Sequence, residues 1–157
     1  MKKIIYVLLS LVLIFMQVKV NVNALDVSAQ SAVVIDAYSG KIVYEKNAYQ
    51  RLGMASTTKI MTALTALTEI DLSNIDEAIS VSDKAIGIEG SSIYLNKGEK
   101  LSMRQLLYAL LLQSANDAAT AIAIEVSGSI DEFANLMNDK AKDMGLSNTN
   151  FTNPHGL

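Results

Sequence analysis

Between Ser102 and Gly145 the chain carries three apolar, helix-period segments almost back to back, which constrains it to a fold built on buried helices. Ser102-Met103-Arg104-Gln105 fits a capping box, and Leu106, Leu107, Leu110 and Leu111 follow as a wide apolar face. This helix is expected to be largely buried and to end about Gln113. Ser114-Ala115-Asn116-Asp117 then intervenes before a second apolar run, Ala118 to Val126, closed by Gly128. Ser129-Ile130-Asp131-Glu132 is another capping box. It opens an amphipathic helix carrying Phe133, Leu136, Met137 and Ala141, which Gly145 stops.

The rest of the chain is more varied. Lys2 and Lys3 precede an unbroken apolar run from Ile4 to Met16, shorter than the ~18–20 residues that span a bilayer. With Val22-Asn23-Ala24 as a cleavage site, residues 1–24 read as a signal peptide and 25–157 as the exported domain. The competing reading is an uncleaved anchor that takes in Gln17 and Val18, and either way the domain lies outside the cytoplasm. Ser31–Asp36 and Lys41–Lys46 are short β-branched runs flanking Ala37-Tyr38-Ser39-Gly40, the pattern of a hairpin. Ile60, Met61, Leu64 and Leu67 predict a helix from about Ser56 to Ile70. Beyond it, 71–98 reads as turns and irregular loop with a short strand at Val81-Ser82, and Phe151 reads as strand-like before a turn at Asn153-Pro154-His155-Gly156.

Composition removes several kinds of function. The 157 residues are 50% hydrophobic and 18% charged, which suits one globular domain. With no cysteine and one histidine, disulfides, thiolate zinc sites, a cysteine nucleophile and a multi-histidine metal site are all excluded. The formal charge is −3, and loss of Lys2, Lys3 and Lys19 with the leader takes it to about −6. No basic cluster is left to neutralise nucleic-acid phosphates.

Two polar clusters interrupt the apolar pattern. Ser56 and Lys59 lie three apart at the start of a predicted helix and so share a face. A serine hydroxyl is a poor nucleophile until a base takes its proton, and a desolvated lysine can be that base. The spacing alone also suits an N-terminal helix residue and a snorkelling surface lysine. Ser114-Ala115-Asn116, between two apolar helices, supplies a second hydroxyl and an amide, or equally a helix-capping pair. Glu89 reads as a solvated loop residue and Asp117 as a cap. His155 invites a Ser-His-Asp triad, but no G-x-S-x-G elbow accompanies it.

Taken together, four blocks resemble the low-molecular-weight penicillin-binding proteins, and more narrowly the serine-type D-Ala-D-Ala carboxypeptidases. They are Arg51 to Thr62, Glu89 to Leu95, Leu106 to Ala119, and Asn153 to Leu157. The resemblance implies an α+β, β-lactamase/transpeptidase-like fold, an antiparallel sheet plus a helical lobe. It also implies a hydrolase with no metal or cofactor, acting outside the cytoplasm on peptidoglycan stem peptides ending in D-Ala-D-Ala. By that resemblance Ser56 is the nucleophile, Lys59 its general base and Ser114 the proton relay. Asn116 orients Lys59 and binds the substrate, and the N–H of Ser56 forms half of an oxyanion hole. β-Lactams would be trapped on Ser56, and His155 would belong to a structural turn.

Two departures accompany the matches. Gly53 stands where many such proteins have proline, and the family's Lys-Thr-Gly motif has no counterpart before Leu157. The sequence therefore reads as the N-terminal part of such a protein, truncated at the C-terminus. Any membrane attachment is expected to come from a C-terminal segment outside it. The alternatives are a truncated, non-catalytic relative that binds wall peptide or penicillin, and a class A β-lactamase-like hydrolase. The latter usually carries Ser-Asp-Asn where this chain has Ser114-Ala115-Asn116.

Overall fold

A computed structural model describes residues 27–157, and the expected leader, 1–24, lies outside the described residues. The chain divides into two compact units, one ending at Arg51 and the other running from Leu52 to Leu157.

In the first unit β1 (Ala32–Ile35) pairs antiparallel with β2 (Ile42–Lys46), as the two β-branched runs predict. Asp36 closes the turn: its Oδ1 accepts from the N–H and the hydroxyl of Ser39 at 2.7 and 2.6 Å. Those bonds hold its carboxyl below the ordinary range. The bulge between Val34 and Ile35 adjusts the register beside that turn.

The second unit contains four α-helices and one further strand pair among the described residues. A 3-10 turn at Ala55–Thr57 leads into α1 (Thr58–Glu69), so Ser56 sits in a tighter turn than the α-helical one expected. The irregular stretch that follows contains β3 (Ala78–Ser80), which pairs with β4 (Lys100–Ser102). Val81-Ser82 thus lies just past the strand rather than in it, although the Val81 N–H still donates to the Glu99 carbonyl.

Next come α2 (Met103–Leu112), α3 (Asn116–Ser127) and α4 (Ile130–Asp143), each close to its expected bounds. The Ser102 capping box closes in both directions, with Gln105 Oε1 accepting from the Ser102 N–H at 2.8 Å. At α4 only the Ser129 side chain caps, accepting from the Glu132 N–H. Gly128 ends α3 at φ +81°, a conformation that favours glycine.

α3 is the centre of this unit and packs against α1, α2 and α4. Residues Asn116–Ala123 are all buried, and the small side chains of Ala118, Ala119, Ala121 and Ala123 permit close helix approach. Around it Leu106, Leu110, Ile122, Phe133 and Met137 are almost wholly removed from water, each worth ~1.5–3 kcal/mol of transfer energy. Leu111 departs from the expected face, lying 55% exposed beside exposed Tyr108 and Leu112. Phe151 is in no strand. The Asn138 side-chain amide receives its N–H and donates to its carbonyl, at 2.7 and 2.8 Å, doing for one residue what a neighbouring strand would do. No described helix is long and apolar enough to cross a membrane.

Candidate active site

The first polar cluster forms where the 3-10 turn enters α1. Ser56, in the 3-10 turn, and Lys59, in the first turn of α1, lie three residues apart on the same side, and Lys59 Nζ donates to Ser56 Oγ at 3.1 Å. Ser56 is exposed while Lys59 is 3% exposed, so an accessible hydroxyl stands over a buried amine. No carboxylate faces that amine among the described residues. Its second acceptor is the backbone carbonyl of His155, at 3.3 Å. Burial therefore lowers the Lys59 pKa from 10.5, because nothing charged compensates the ammonium for lost water.

The second cluster arrives from the α2–α3 junction. Ser114 is held at φ +54°, and its Oγ donates to Ser56 Oγ at 2.9 Å. Three side chains from two distant stretches, Ser56, Lys59 and Ser114, thus share one hydrogen-bonded chain. Ala55, immediately before the serine, has φ +47°, a conformation that costs an L-residue ~1–2 kcal/mol. Such strain is retained only where surrounding contacts over-determine it.

Asn116 lies 3% exposed in the first turn of α3, and no hydrogen bond joins it to Lys59. Its Nδ2 donates instead to the Glu89 carbonyl at 2.6 Å, and its backbone N–H to the Ser91 carbonyl at 2.7 Å. Gly90 runs so close that a Cβ there would lie 2.6 Å from Asn116 Nδ2. The amide therefore fixes the loop that carries Glu89, whose side chain is exposed.

Asp117 does more than cap. Its carboxylate accepts from the Ser92 hydroxyl at 2.6 Å, from Ile93 and Leu95 N–H at 3.2 and 3.0 Å, and from Ala118 N–H at 2.9 Å. Burial works against its charge, yet the Ser92, Leu95, Ile93 and Ala118 donors outweigh it and hold the pKa below 3.8.

His155 contributes its backbone. Its Nδ1 accepts from the Leu157 N–H at 3.2 Å, while its carbonyl faces Lys59. Burial, and then the charge of Lys59, lower its pKa. That is the structural turn the resemblance implies, and no triad forms through the ring. The His155 carbonyl, and the Gly156 backbone packed on Ala55, have no local signal in the sequence; only their place in a turn-forming motif hints at them. No group of three or more His, Asp or Glu side chains is placed to hold a metal among the described residues.

Known proteins carry the same arrangement of elements. The solved D-alanyl-D-alanine carboxypeptidase DacD of Francisella tularensis superposes with a TM-score of 0.79 at 40% identity, over 84% of this chain and 32% of that one. Penicillin-binding protein 5 of Haemophilus influenzae superposes at 0.78 with 33% identity, over 84% of this chain and 40% of that one. The fold is therefore the β-lactamase/transpeptidase-like fold of the penicillin-binding proteins. In sequence, D-alanyl-D-alanine carboxypeptidase DacF of Bacillus subtilis is 43% identical over 131 residues, which are 82% of this chain and 34% of that protein. The D-alanyl-D-alanine carboxypeptidase family profile matches residues 17–157. The chain belongs to that family, and it spans about a third of the length of such curated relatives.

Proposed function

We propose that this chain is the N-terminal portion, residues 25–157, of the catalytic domain of a serine-type D-Ala-D-Ala carboxypeptidase, exported behind a leader at 1–24. The reading rests above all on one observation. An exposed Ser56 hydroxyl sits 2.9 Å from the Ser114 hydroxyl and 3.1 Å from a buried Lys59 amine that has no carboxylate partner among the described residues.

Those contacts support the following mechanism. Unprotonated Lys59 accepts the Ser56 proton as Oγ attacks the carbonyl carbon of the penultimate D-alanine in a peptidoglycan stem peptide. The tetrahedral intermediate collapses with cleavage of the C–N bond. The proton passes through Ser114 to the leaving amine, and free D-alanine departs. Water then attacks the acyl-enzyme and returns the proton to Ser56. A lowered lysine pKa matters because only the neutral amine can take the first proton. β-Lactams present the same carbonyl and would leave a slowly hydrolysed adduct on Ser56. The setting is the extracytoplasmic side of the bacterial cytoplasmic membrane.

Incubation of the full chain with a fluorescent penicillin, followed by intact mass and peptide mapping, tests this reading. One adduct on Ser56, abolished in Ser56→Ala, is the expected result, and labelling that survives in Ser56→Ala would sink it. An adduct without D-alanine release from a stem peptide would favour a non-catalytic binder. Rapid penicillin turnover would favour a β-lactamase-like hydrolase.

A further inference from the structure

The Asn153–Leu157 turn meets the start of α1 at three points. Thr62 Oγ1 donates to the Pro154 carbonyl at 2.6 Å, and Lys59 Nζ donates to the next carbonyl, that of His155. Gly156, at φ +87°, lies so near the Ala55 carbonyl that a Cβ would collide with it, and would come within 2.6 Å of Thr58 Oγ1. From the outside, Asn153 Oδ1 accepts from the His155 and Gly156 N–H groups at 3.1 and 2.7 Å.

Each peptide unit is planar, so fixing its carbonyl and its N–H fixes the whole plane. The 154–155 plane is gripped by Thr62 on its carbonyl and Asn153 on its N–H. The 155–156 plane is gripped by Asn153 on its N–H and presents its carbonyl to Lys59. We propose that Thr62 is a positioning residue for acylation: its hydroxyl latches the Pro154 carbonyl and so holds the adjoining His155 carbonyl against the Lys59 amine. The role rests on the reading of Lys59 as general base. Thr62 is fully buried and Pro154 is buried, so water does not compete for this bond. The hydroxyl's other acceptor, the Thr58 carbonyl in its own helix, is longer at 3.4 Å. The sequence offers no hint of the latch, since its ends are 92 residues apart.

The test compares Thr62→Val, which keeps the shape and removes the donor, with Thr62→Ser, which keeps the donor. Asn153→Ala loosens the same turn from outside α1 should the valine variant fold poorly. Two quantities are read on the full chain: the second-order rate of acylation by a fluorescent penicillin, and the reactivity of the Lys59 amine toward acetic anhydride. Misplacing a reacting group by about 1 Å costs on the order of 100-fold, so Thr62→Val and Asn153→Ala should slow acylation by ~10–100-fold. Both should expose Lys59 to the anhydride, and Thr62→Ser should stay within about threefold of wild type on both readings. The proposal is overturned if either turn variant, folded by its melting curve, keeps wild-type acylation and wild-type lysine reactivity. A serine variant as impaired as the valine one would also overturn it, by pointing to methyl packing. If the wild-type chain is not acylated at all, the general-base reading fails, while the lysine-reactivity comparison still decides whether the latch holds Lys59.

Discussion

Lys59 and Asp117 are both charged residues buried in the helical unit, at 3% and 1% exposure, yet their surroundings treat charge in opposite ways. Lys59 is given two neutral oxygen acceptors and, among the described residues, no counter-ion, so burial dominates and its pKa is lowered. Asp117 is given a hydroxyl and three N–H donors, so the hydrogen bonds dominate and the carboxylate stays ionised. Burial alone therefore does not say what a charge is for; the number and kind of partners do. A sparsely partnered group is poised to exchange a proton, and a fully partnered one is a clamp.

The contrast is easiest to break by substitution. Lys59→Met keeps the bulk and removes the amine. It should slow penicillin acylation by ~10²–10⁴-fold, the usual worth of a general base, without lowering the melting temperature. A variant that acylates normally, or that unfolds, would erase the distinction. Asp117→Ala should do the reverse. Four donors lose their acceptor, and urea unfolding should show a loss of about 3 kcal/mol, the upper end for charge-assisted bonds. An unchanged unfolding midpoint would contradict the clamp.

pH sharpens the comparison, because the two groups act in separate windows. The folded pKa of Asp117 lies below 3.8, so its contribution is complete above 3.8 and is lost as pH falls through the folded value. The folded pKa of Lys59 lies below 10.5, so between that folded value and 10.5 the unfolded chain binds more protons. Stability attributable to Lys59 then rises with pH across that window. Melting curves against pH should show an acid slope that Asp117→Asn removes and an alkaline gain that Lys59→Met removes. A wild-type alkaline slope retained in Lys59→Met would assign it elsewhere. The smallest effect belongs to an exposed pair, Arg104 and Asp76, which touch at 2.6 Å in water. Asp76→Asn should leave the melting midpoint within the scatter of replicate measurements, and a clear drop would mean that exposed charge also matters here.

The sequence carried what is local. Ser56 and Lys59 are one turn apart, the Ser102 capping box closes within four residues, and Gly128 and Gly145 mark helix ends at positive φ. The family motif also picked out Ser114, whose bond to Ser56 spans 58 residues. What it missed is tertiary. The Thr62–Pro154 and Lys59–His155 bonds join residues 92 and 96 apart, and β3 finds β4 across a long loop that reads as irregular. Leu111 fits the helical period but faces water, because period fixes a face and not what covers it. Asn116 shows the same limit, since its amide is committed to the Glu89 carbonyl, which no spacing rule selects.

The most direct measurement titrates both groups in one folded sample of the full chain, following the Lys59 Nζ resonance and the Asp117 carboxyl carbon by NMR. Titration of Lys59 below 10.5 and of Asp117 below 3.8 is the predicted result. Lysine titration at or above 10.5 would mean that the amine is a cation throughout the physiological range. The proposed base for Ser56 would then be lost, and with it the account of the site.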